Sequence, residues 1–199
     1  MRHPHHTLMV PDVFGATEDF HQLARSVADS FTVIDAYRDF GIARPDPAAG
    51  DTAAYNWFQE HIGLEQYTVL VTDAVRSVQS VTRIVGCSIG AAAVWTTSAS
   101  VDCQWIECAV CCYGSQIRHM TDLNPRWPVL CVLPHSEPHF DVNQTGRALA
   151  RHRHVIVHTL GQHGFLNAHS HGFDRVARDA FTARLRNLNA DDELFPTGD

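Results

Sequence analysis

The sequence contains no apolar run that approaches the roughly twenty residues a helix needs to span a membrane. It is also poor in positive charge: 15 basic residues stand against 22 acidic ones, and the formal net charge is −7. Proteins that bind nucleic acid need a cluster of positive charge to contact phosphates. The composition therefore argues against a membrane-spanning protein and against a nucleic-acid partner.

Motifs for metal binding and redox chemistry are sparse as well. Cys108 and Cys111 have the spacing of a redox or zinc pair, but no second such pair follows, and a strand would point the two side chains to opposite faces. We expect the cysteines to be core thiols, and we expect no metal ion or other cofactor. The alternative is a metal site drawn from the scattered histidines, with these candidates: His152, His154, His158, His169 and His171.

The 199 residues contain no internal repeat and no linker, so a single domain over residues 1–199 is predicted. Residues 1–6 are basic, but the apolar stretch after them is short and is interrupted by Pro11 and Asp12, which is unlike a signal peptide. We therefore expect a cytoplasmic protein that is a monomer or a homodimer.

Apolar, β-branched runs alternate with segments of helical periodicity along the chain. Strands are predicted at residues 7–10, 31–37, 81–85, 108–112, 128–133 and 154–158. Helices are predicted after the N-cap Thr17, over residues 52–61, 69–80 and 142–151, after residue 90, and near the carboxyl end. This alternation is typical of an α/β protein with a mostly parallel central sheet and helices on both faces.

The sequence Gly86-x-Ser88-x-Gly90 lies between a predicted strand and a predicted helix. In that context the spacing is typical of a nucleophile elbow, a turn too tight for side chains on either side of the serine. The hydroxyl of Ser88 would project above the sheet, and the N–H of Ile89 would face a developing oxyanion. The plain alternative is a glycine-rich turn with no chemical role.

Four polar residues follow predicted strands: Asp12, Ser88, Glu137 and His163. Ligand sites of parallel sheets lie beyond the carboxyl ends of the strands, so we expect these side chains near one another. A serine nucleophile needs a base, and the base needs a carboxylate. His163, in a glycine-containing loop after the last strand, suits the base, although an ordinary loop histidine is the alternative.

Four segments together resemble the dienelactone hydrolase family of α/β-hydrolases. Residues 10–16 resemble its opening segment, residues 86–91 its elbow, Tyr113-Gly114 the end of its next strand, and residues 163–165 its catalytic H-G-F sequence. The resemblance covers nearly the whole chain and implies the α/β-hydrolase fold.

The resemblance also implies roles for individual residues. Ser88 stands at the nucleophile position and His163 at the base, and the main-chain N–H groups of Val13 and Ile89 would form the oxyanion hole. Asp12 takes the position of a family carboxylate near the nucleophile, shortened by one methylene group. The residues expected to line the site are Asp12, Cys87, Tyr113 and Phe165.

The chain departs from the family at the nucleophile and at the acid. The family nucleophile is typically cysteine, whereas Ser88 is central here and Cys87 precedes it; Ser88 is preferred because only the central residue projects toward the oxyanion hole. Setting Pro134 at the family's glycine places Glu137 at its aspartate, with Asp141 as the alternative acid.

A third departure concerns the arginine that binds a substrate carboxylate in some members. This chain has other residues at that place, namely Asn167, His169 and His171.

These observations lead to two hypotheses. The first is a serine hydrolase that cleaves a small ester, lactone or thioester through an acyl-enzyme, with a Ser-His-Glu/Asp triad. The second is a catalytically silent relative that acts as a binding or regulatory protein. The substrate stays open, as does a lid role for the loop over residues 41–51, whose neighbourhood includes Arg38 and Arg44.

Overall fold

A computed structural model describes residues 6–78 and 80–186, so part of the basic N-terminus lies outside the described residues. Its centre is a six-stranded sheet in the order β2-β1-β3-β4-β5-β6, in which every neighbouring pair is parallel. The strands are β1 His6–Val10, β2 Ser30–Val33, β3 Val81–Cys87, β4 Cys108–Cys112, β5 Val129–Leu133 and β6 Val155–Thr159. The strand order reverses between β1 and β3, and such a switch point opens a crevice at the carboxyl ends of the two strands.

Seven α-helices accompany these strands within the described residues. They are α1 Glu18–Val27, α2 Ala36–Asp39, α3 Gly50–His61, α4 Gly63–Ser77, α5 Ile89–Ser100, α6 Val142–Leu149 and α7 Arg175–Arg186. Short 3-10 helices cover Pro47–Ala49 and Ser115–His119. In the part of the chain that the structure describes, none of the helices has the length and apolarity to cross a bilayer.

The helices cover both faces of the sheet, as predicted. Residues of α3, α4, α5 and α6 pack on one face, and residues of α1 and α7 pack on the other. The alternation of side chains along β4 divides its cysteines between the two layers. Cys108 faces α1 and α7, and Cys111 faces the opposite layer, so the two side chains lie on opposite faces of the sheet, as predicted.

The sequence pattern also predicts local structure well where a cap accompanies the periodicity. The hydroxyl of Thr17 accepts a hydrogen bond from the N–H of Phe20 at 3.2 Å, so α1 begins where predicted. Its apolar positions from Phe20 to Val27 are buried against the sheet.

Two element boundaries differ from the prediction. The strand predicted over residues 31–37 ends at Val33, because Asp35 caps α2 by accepting a hydrogen bond from the N–H of Arg38. The helix predicted over residues 69–80 begins at Gly63 and ends at Ser77, without a side-chain cap to mark its start. The loop predicted over residues 41–51 includes a 3-10 helix and the first residues of α3.

Candidate active site

Ser88 joins β3 to α5 in a strained turn. Its φ of 50° and ψ of −113° are unusual for a residue with a side chain. The backbone on either side holds this conformation: the N–H of Ser88 donates to the carbonyl of Cys112 at 2.9 Å, and its carbonyl accepts from Ala92 at 3.2 Å. The turn therefore has the strand–turn–helix setting that the Gly-x-Ser-x-Gly spacing predicts.

The two glycines of this motif are required by close backbone contacts. A Cβ atom on Gly86 would lie 2.7 Å from the carbonyl oxygen of Gly90. A Cβ atom on Gly90 would overlap the carbonyl oxygens of Val10 and Pro11 at the end of β1. The absence of side chains thus lets the elbow pack against itself and against the neighbouring strand end.

Three side chains from distant parts of the chain meet at this turn. The Nε2 atom of His163 lies 3.0 Å from the Oγ atom of Ser88, and its Nδ1 atom lies 2.7 Å from Oε1 of Glu137. Ser88 follows β3, Glu137 follows β5 and His163 follows β6. The carboxyl ends of three strands therefore bring a hydroxyl, an imidazole and a carboxylate into one hydrogen-bonded row.

The carboxylate of Glu137 is held in its ionised form. Burial alone would raise the pKa of Glu137, but hydrogen bonds from His163 and Ser115, together with the charges of His163 and Arg118, hold this pKa below its usual value. An ionised carboxylate at Nδ1 is what an imidazole needs to become positively charged during proton transfer.

Asp141, the alternative acid, lies elsewhere. It is exposed and caps α6, accepting a hydrogen bond from the N–H of Gln144 at 3.1 Å. The structure thus brings Glu137, and not Asp141, to His163.

The segment after β1 forms the other side of the site. The hydroxyl of Tyr37 donates to the carbonyl of Val13 at 2.6 Å, and the hydroxyl of Tyr67 donates to the carbonyl of Pro11 at 2.9 Å. Both tyrosines are buried, so they fix the orientation of the peptides around Val13. Ile89 is the first residue of α5, where an N–H group has no acceptor within the helix.

Asp12 is a buried carboxylate beside this segment. It accepts hydrogen bonds from the side-chain amide of Asn167 at 2.6 Å and from the N–H of Phe14 at 3.1 Å. Burial raises the pKa of Asp12 from its usual 3.8 to about 6, against the lowering effects of these donors and of the His163 charge. Asp12 therefore changes charge close to neutral pH.

These groups open onto a cavity of about 520 Å³ at the switch point between β1 and β3. Ser88, His163, Glu137 and Tyr113 line it, together with Asp12 and Val13. Tyr55 and the first residues of α3 form part of the wall, so the segment that follows the 41–51 loop contributes to the site.

Two residues that the sequence predicts as lining the site do not reach the cavity. Cys87 and Phe165 are each fully buried in the core layer that contains α1 and α7. The ring of Phe165 packs edge-on against the ring of Tyr113 at 5.5 Å, and Tyr113 in turn lies 5.3 Å from the ring of His163. Phe165 thus packs behind Tyr113. Cys87 is the last residue of β3, and its side chain lies in the core layer that contains α1 and α7.

Ser115 and Arg118 are among the polar residues of the site that the sequence did not predict. Both line the cavity, and Ser115 directly follows the Tyr113-Gly114 strand end. The rule that ligand sites lie beyond strand ends could have found Ser115. Arg118 lies on the next short helical turn, and no sequence pattern marks it.

The other polar and charged candidates have partners outside the row of Ser88, His163 and Glu137. Arg44 pairs with Asp35, and Arg38 pairs with Asp39. Three polar residues that follow the H-G-F segment also form hydrogen bonds. The side-chain amide of Asn167 donates to Asp12, and the main-chain N–H of His169 donates to the side chain of Asn167. The ring of His171 forms a hydrogen bond with Asp51. Within residues 6–78 and 80–186, no group of three or more His, Cys, Asp or Glu side chains is placed to hold a metal ion.

Comparison with known proteins shows a shared fold. No family model matches the chain. An uncharacterized protein of Bacillus subtilis, YczH, is 29% identical over 154 residues, which cover 70% of this chain and 74% of that protein.

Solved structures share the fold at low sequence identity. A Klebsiella pneumoniae protein solved as a candidate dienelactone hydrolase superposes with a TM-score of 0.62 at 16% identity, covering 91% of this chain and 84% of that chain. The dienelactone hydrolase-like promiscuous phosphotriesterase P91 from metagenomic libraries gives 0.61 at 15% identity, covering 89% and 82%. Est1E of Butyrivibrio proteoclasticus, solved with ferulic acid, gives 0.59 at 12% identity, covering 92% and 86%. The chain therefore has the α/β-hydrolase fold of dienelactone hydrolase-like proteins, as the sequence resemblance predicts.

Proposed function

We propose that this protein is a serine hydrolase that cleaves a small ester, lactone or thioester through an acyl-enzyme intermediate. The observation that carries the proposal is the hydrogen-bonded row from Ser88 through His163 to Glu137, with separations of 3.0 and 2.7 Å, at the wall of a cavity. The fold is that of known hydrolases. A strained turn between a strand and a helix exposes the hydroxyl of its serine, which acyl transfer requires.

In the acylation step the Oγ atom of Ser88 forms a bond to the acyl carbon, and its proton passes to Nε2 of His163. The negative charge of the tetrahedral intermediate is stabilised by the N–H groups of Val13 and Ile89. Glu137 stabilises the positively charged imidazole. The bond to the leaving group then breaks, and His163 returns the proton to the departing oxygen or sulfur.

Deacylation repeats these steps with water as the nucleophile. His163 accepts a proton from the water, and the resulting hydroxyl attacks the acyl carbon of the ester on Ser88. The acid is released and the proton returns to the serine. No metal ion or organic cofactor takes part in this scheme.

The cavity also supports a proposal about the substrate. Its volume of about 520 Å³ suits a small ester rather than a long acyl chain. Arg118 lies in its wall and forms no ion pair with a carboxylate among the described residues; its guanidinium donates to the carbonyl of Ser115 at 2.6 Å and lies 5.2 Å from the ring centre of Phe140. An esterified substrate with an anionic group could bind this cation.

We also propose a cytoplasmic location. All six cysteines are free and buried, which is usual for proteins of a reducing compartment. We further propose that the chain is a single domain and that the protein is a monomer or a homodimer.

The proposal is tested with a panel of p-nitrophenyl esters, lactones and acyl thioesters, each assayed with the wild type and with Ser88→Ala and His163→Ala variants. We expect turnover of at least one class, and a fall in kcat of about 10⁴-fold or more in each variant. Turnover that persists in both variants would overturn the mechanism. A folded wild type that hydrolyses nothing and yet binds panel members would instead favour a catalytically silent binding protein.

A further inference from the structure

We propose that Ser115 is a positioning residue of the triad, which holds Glu137 and His163 together in the orientation that leaves Nε2 free for Ser88. This inference rests on the proposed hydrolase function and adds a fourth polar side chain to the row of Ser88, His163 and Glu137.

The geometry that carries the inference is a triangle of three atoms. The Oγ atom of Ser115 lies 2.5 Å from Oε1 of Glu137 and 3.0 Å from Nδ1 of His163. The same Oε1 atom lies 2.7 Å from Nδ1 of His163. Ser115 therefore contacts both members of the acid–base pair at the bond that joins them.

The roles of donor and acceptor follow from the chemistry of the three groups. An ionised carboxylate can only accept, so both the Ser115 hydroxyl and the Nδ1–H of His163 donate to Glu137. Two donors that converge on one oxygen restrict the rotation of the carboxylate. Because Nδ1 then carries the proton, Nε2 of His163 presents its lone pair to the hydroxyl of Ser88.

Ser115 is itself held rigidly. Its N–H donates to the carbonyl of Tyr113 at 3.0 Å, and its own carbonyl accepts a hydrogen bond from Arg118 at 2.6 Å. It lies at the start of the 3-10 helix Ser115–His119, which begins three residues after the end of β4. The hydroxyl thus projects from a fixed backbone position into the space between two loops that come from other strands.

Loss of the hydroxyl has a consequence that separates positioning from a general structural role. Without the Ser115 hydroxyl, the carboxylate of Glu137 keeps the hydrogen bond from His163 and loses the hydrogen bond from Ser115, so the pKa of Glu137 rises. A less stabilised carboxylate makes the Glu137–His163 pair take up a proton more readily, so the acid limb of the pH profile of kcat/KM moves to higher pH. The value of kcat falls while KM changes little, since the substrate contacts of Ser88 and the oxyanion hole stay in place.

The experiment compares the wild type with Ser115→Ala, Ser115→Thr and the control Ser26→Ala. Ser26 also donates a hydroxyl hydrogen bond, to the carbonyl of Leu23 at 2.7 Å, but it lies on α1 and does not line the cavity. Two readouts are taken: the pH profile of p-nitrophenyl acetate hydrolysis, and the titration of the Glu137 carboxyl carbon by NMR, which needs no turnover.

We expect Ser115→Ala to lower kcat about tenfold and to raise the Glu137 titration midpoint by about half a pH unit or more. Ser115→Thr, which keeps the hydroxyl, should restore most of both values, and Ser26→Ala should leave both unchanged. An unchanged Glu137 midpoint in Ser115→Ala would overturn the inference, as would an equal loss of activity in Ser26→Ala.

The two readouts also separate this inference from the proposed function. If the wild type hydrolyses no ester but the Glu137 midpoint moves in Ser115→Ala, Ser115 positions the pair and the hydrolase proposal fails. If hydrolysis is present and the midpoint does not move, the hydrolase proposal stands and the role of Ser115 fails. Should Ser115→Ala not fold, Ser115→Cys, which keeps the size of the side chain with a weaker donor, is titrated in its place.

Discussion

The Oε1 atom of Glu137 lies 2.7 Å from Nδ1 of His163, whereas the carboxylate of Asp141, only four residues further on, faces the N-terminus of α6. The two acids of this loop thus have different structural tasks. Glu137 contacts an imidazole at the cavity, and Asp141 satisfies a backbone N–H group at a helix end.

The first prediction separates these tasks by matched substitutions. Glu137→Gln keeps the shape of the side chain but removes the charge that stabilises the imidazolium, so kcat should fall by about 10³-fold or more. Asp141→Asn keeps a good N-cap and should leave kcat within about twofold of the wild type. Steady-state kinetics of both variants on one ester decides the point, and an equal loss in the two variants would contradict it.

The second prediction concerns the tyrosine that orients Val13. Tyr37→Phe removes the hydroxyl that donates to the carbonyl of Val13 at 2.6 Å, so the neighbouring N–H group becomes less precisely placed for an oxyanion. We expect kcat to fall about tenfold with little change in KM, and the free energy of unfolding to fall by about 1 kcal/mol. Thr68→Val serves as the control, because its hydroxyl also donates to a main-chain carbonyl, that of Leu64 at 2.8 Å, and Thr68 does not line the cavity. A kcat equal to the wild-type value in Tyr37→Phe would show that the hydroxyl is not needed for this placement.

The third prediction follows from the pKa of Asp12, which burial raises to about 6. Between the unfolded value of 3.8 and about 6 the folded state binds more protons than the unfolded state, so stability falls as the pH rises through this window. The whole shift corresponds to about 3 kcal/mol, and most of this is lost between pH 4 and pH 7.5.

Asp12→Asn cannot ionise, and this contribution disappears in the variant. Urea unfolding at several pH values should therefore show the wild type losing stability relative to Asp12→Asn as the pH rises from 4 to 7.5. A difference between the two proteins that does not depend on pH would mean that Asp12 titrates with an ordinary pKa.

The fourth prediction concerns Arg118 and the charge of the substrate. Arg118→Met should lower kcat/KM for mono-p-nitrophenyl succinate about tenfold more than for neutral p-nitrophenyl acetate. Only the succinate ester has a carboxylate that can pair with the Arg118 guanidinium, so only this ester loses an ion pair. Arg126→Met, which removes a cation that pairs with Asp102 on the surface, should change the two substrates equally. If Arg118→Met also changes both equally, Arg118 does not select charge.

Much of the architecture could be predicted from the sequence because local signals and global fold agree. The apolar runs, the cap at Thr17 and the glycines around Ser88 each indicate an element that the structure contains. The β-branched stretch after Phe31 was misleading, since Asp35 competes with the strand by capping a short helix. The start of α4 at Gly63 has no side-chain cap and so leaves no sequence signal.

The site was predicted less completely, for a different physical reason. Glycine spacing and loop position single out Ser88 and His163, since tight turns restrict the residues they accept. Ser115 and Arg118 lie on a short 3-10 helix whose sequence has no comparable restriction. Their importance depends on what the other strand ends bring opposite them, which only the folded chain shows.

The central claim, an activated serine at position 88, is tested most directly by a fluorophosphonate probe and mass-spectrometric mapping of the modified residue. The account predicts one adduct, on Ser88, that is absent in Ser88→Ala and forms about 100-fold more slowly in His163→Ala. Cys87, fully buried beside it, should stay unmodified by a thiol-directed reagent in the folded protein. An adduct on another residue, or an equal rate of labelling in His163→Ala, would contradict the claim.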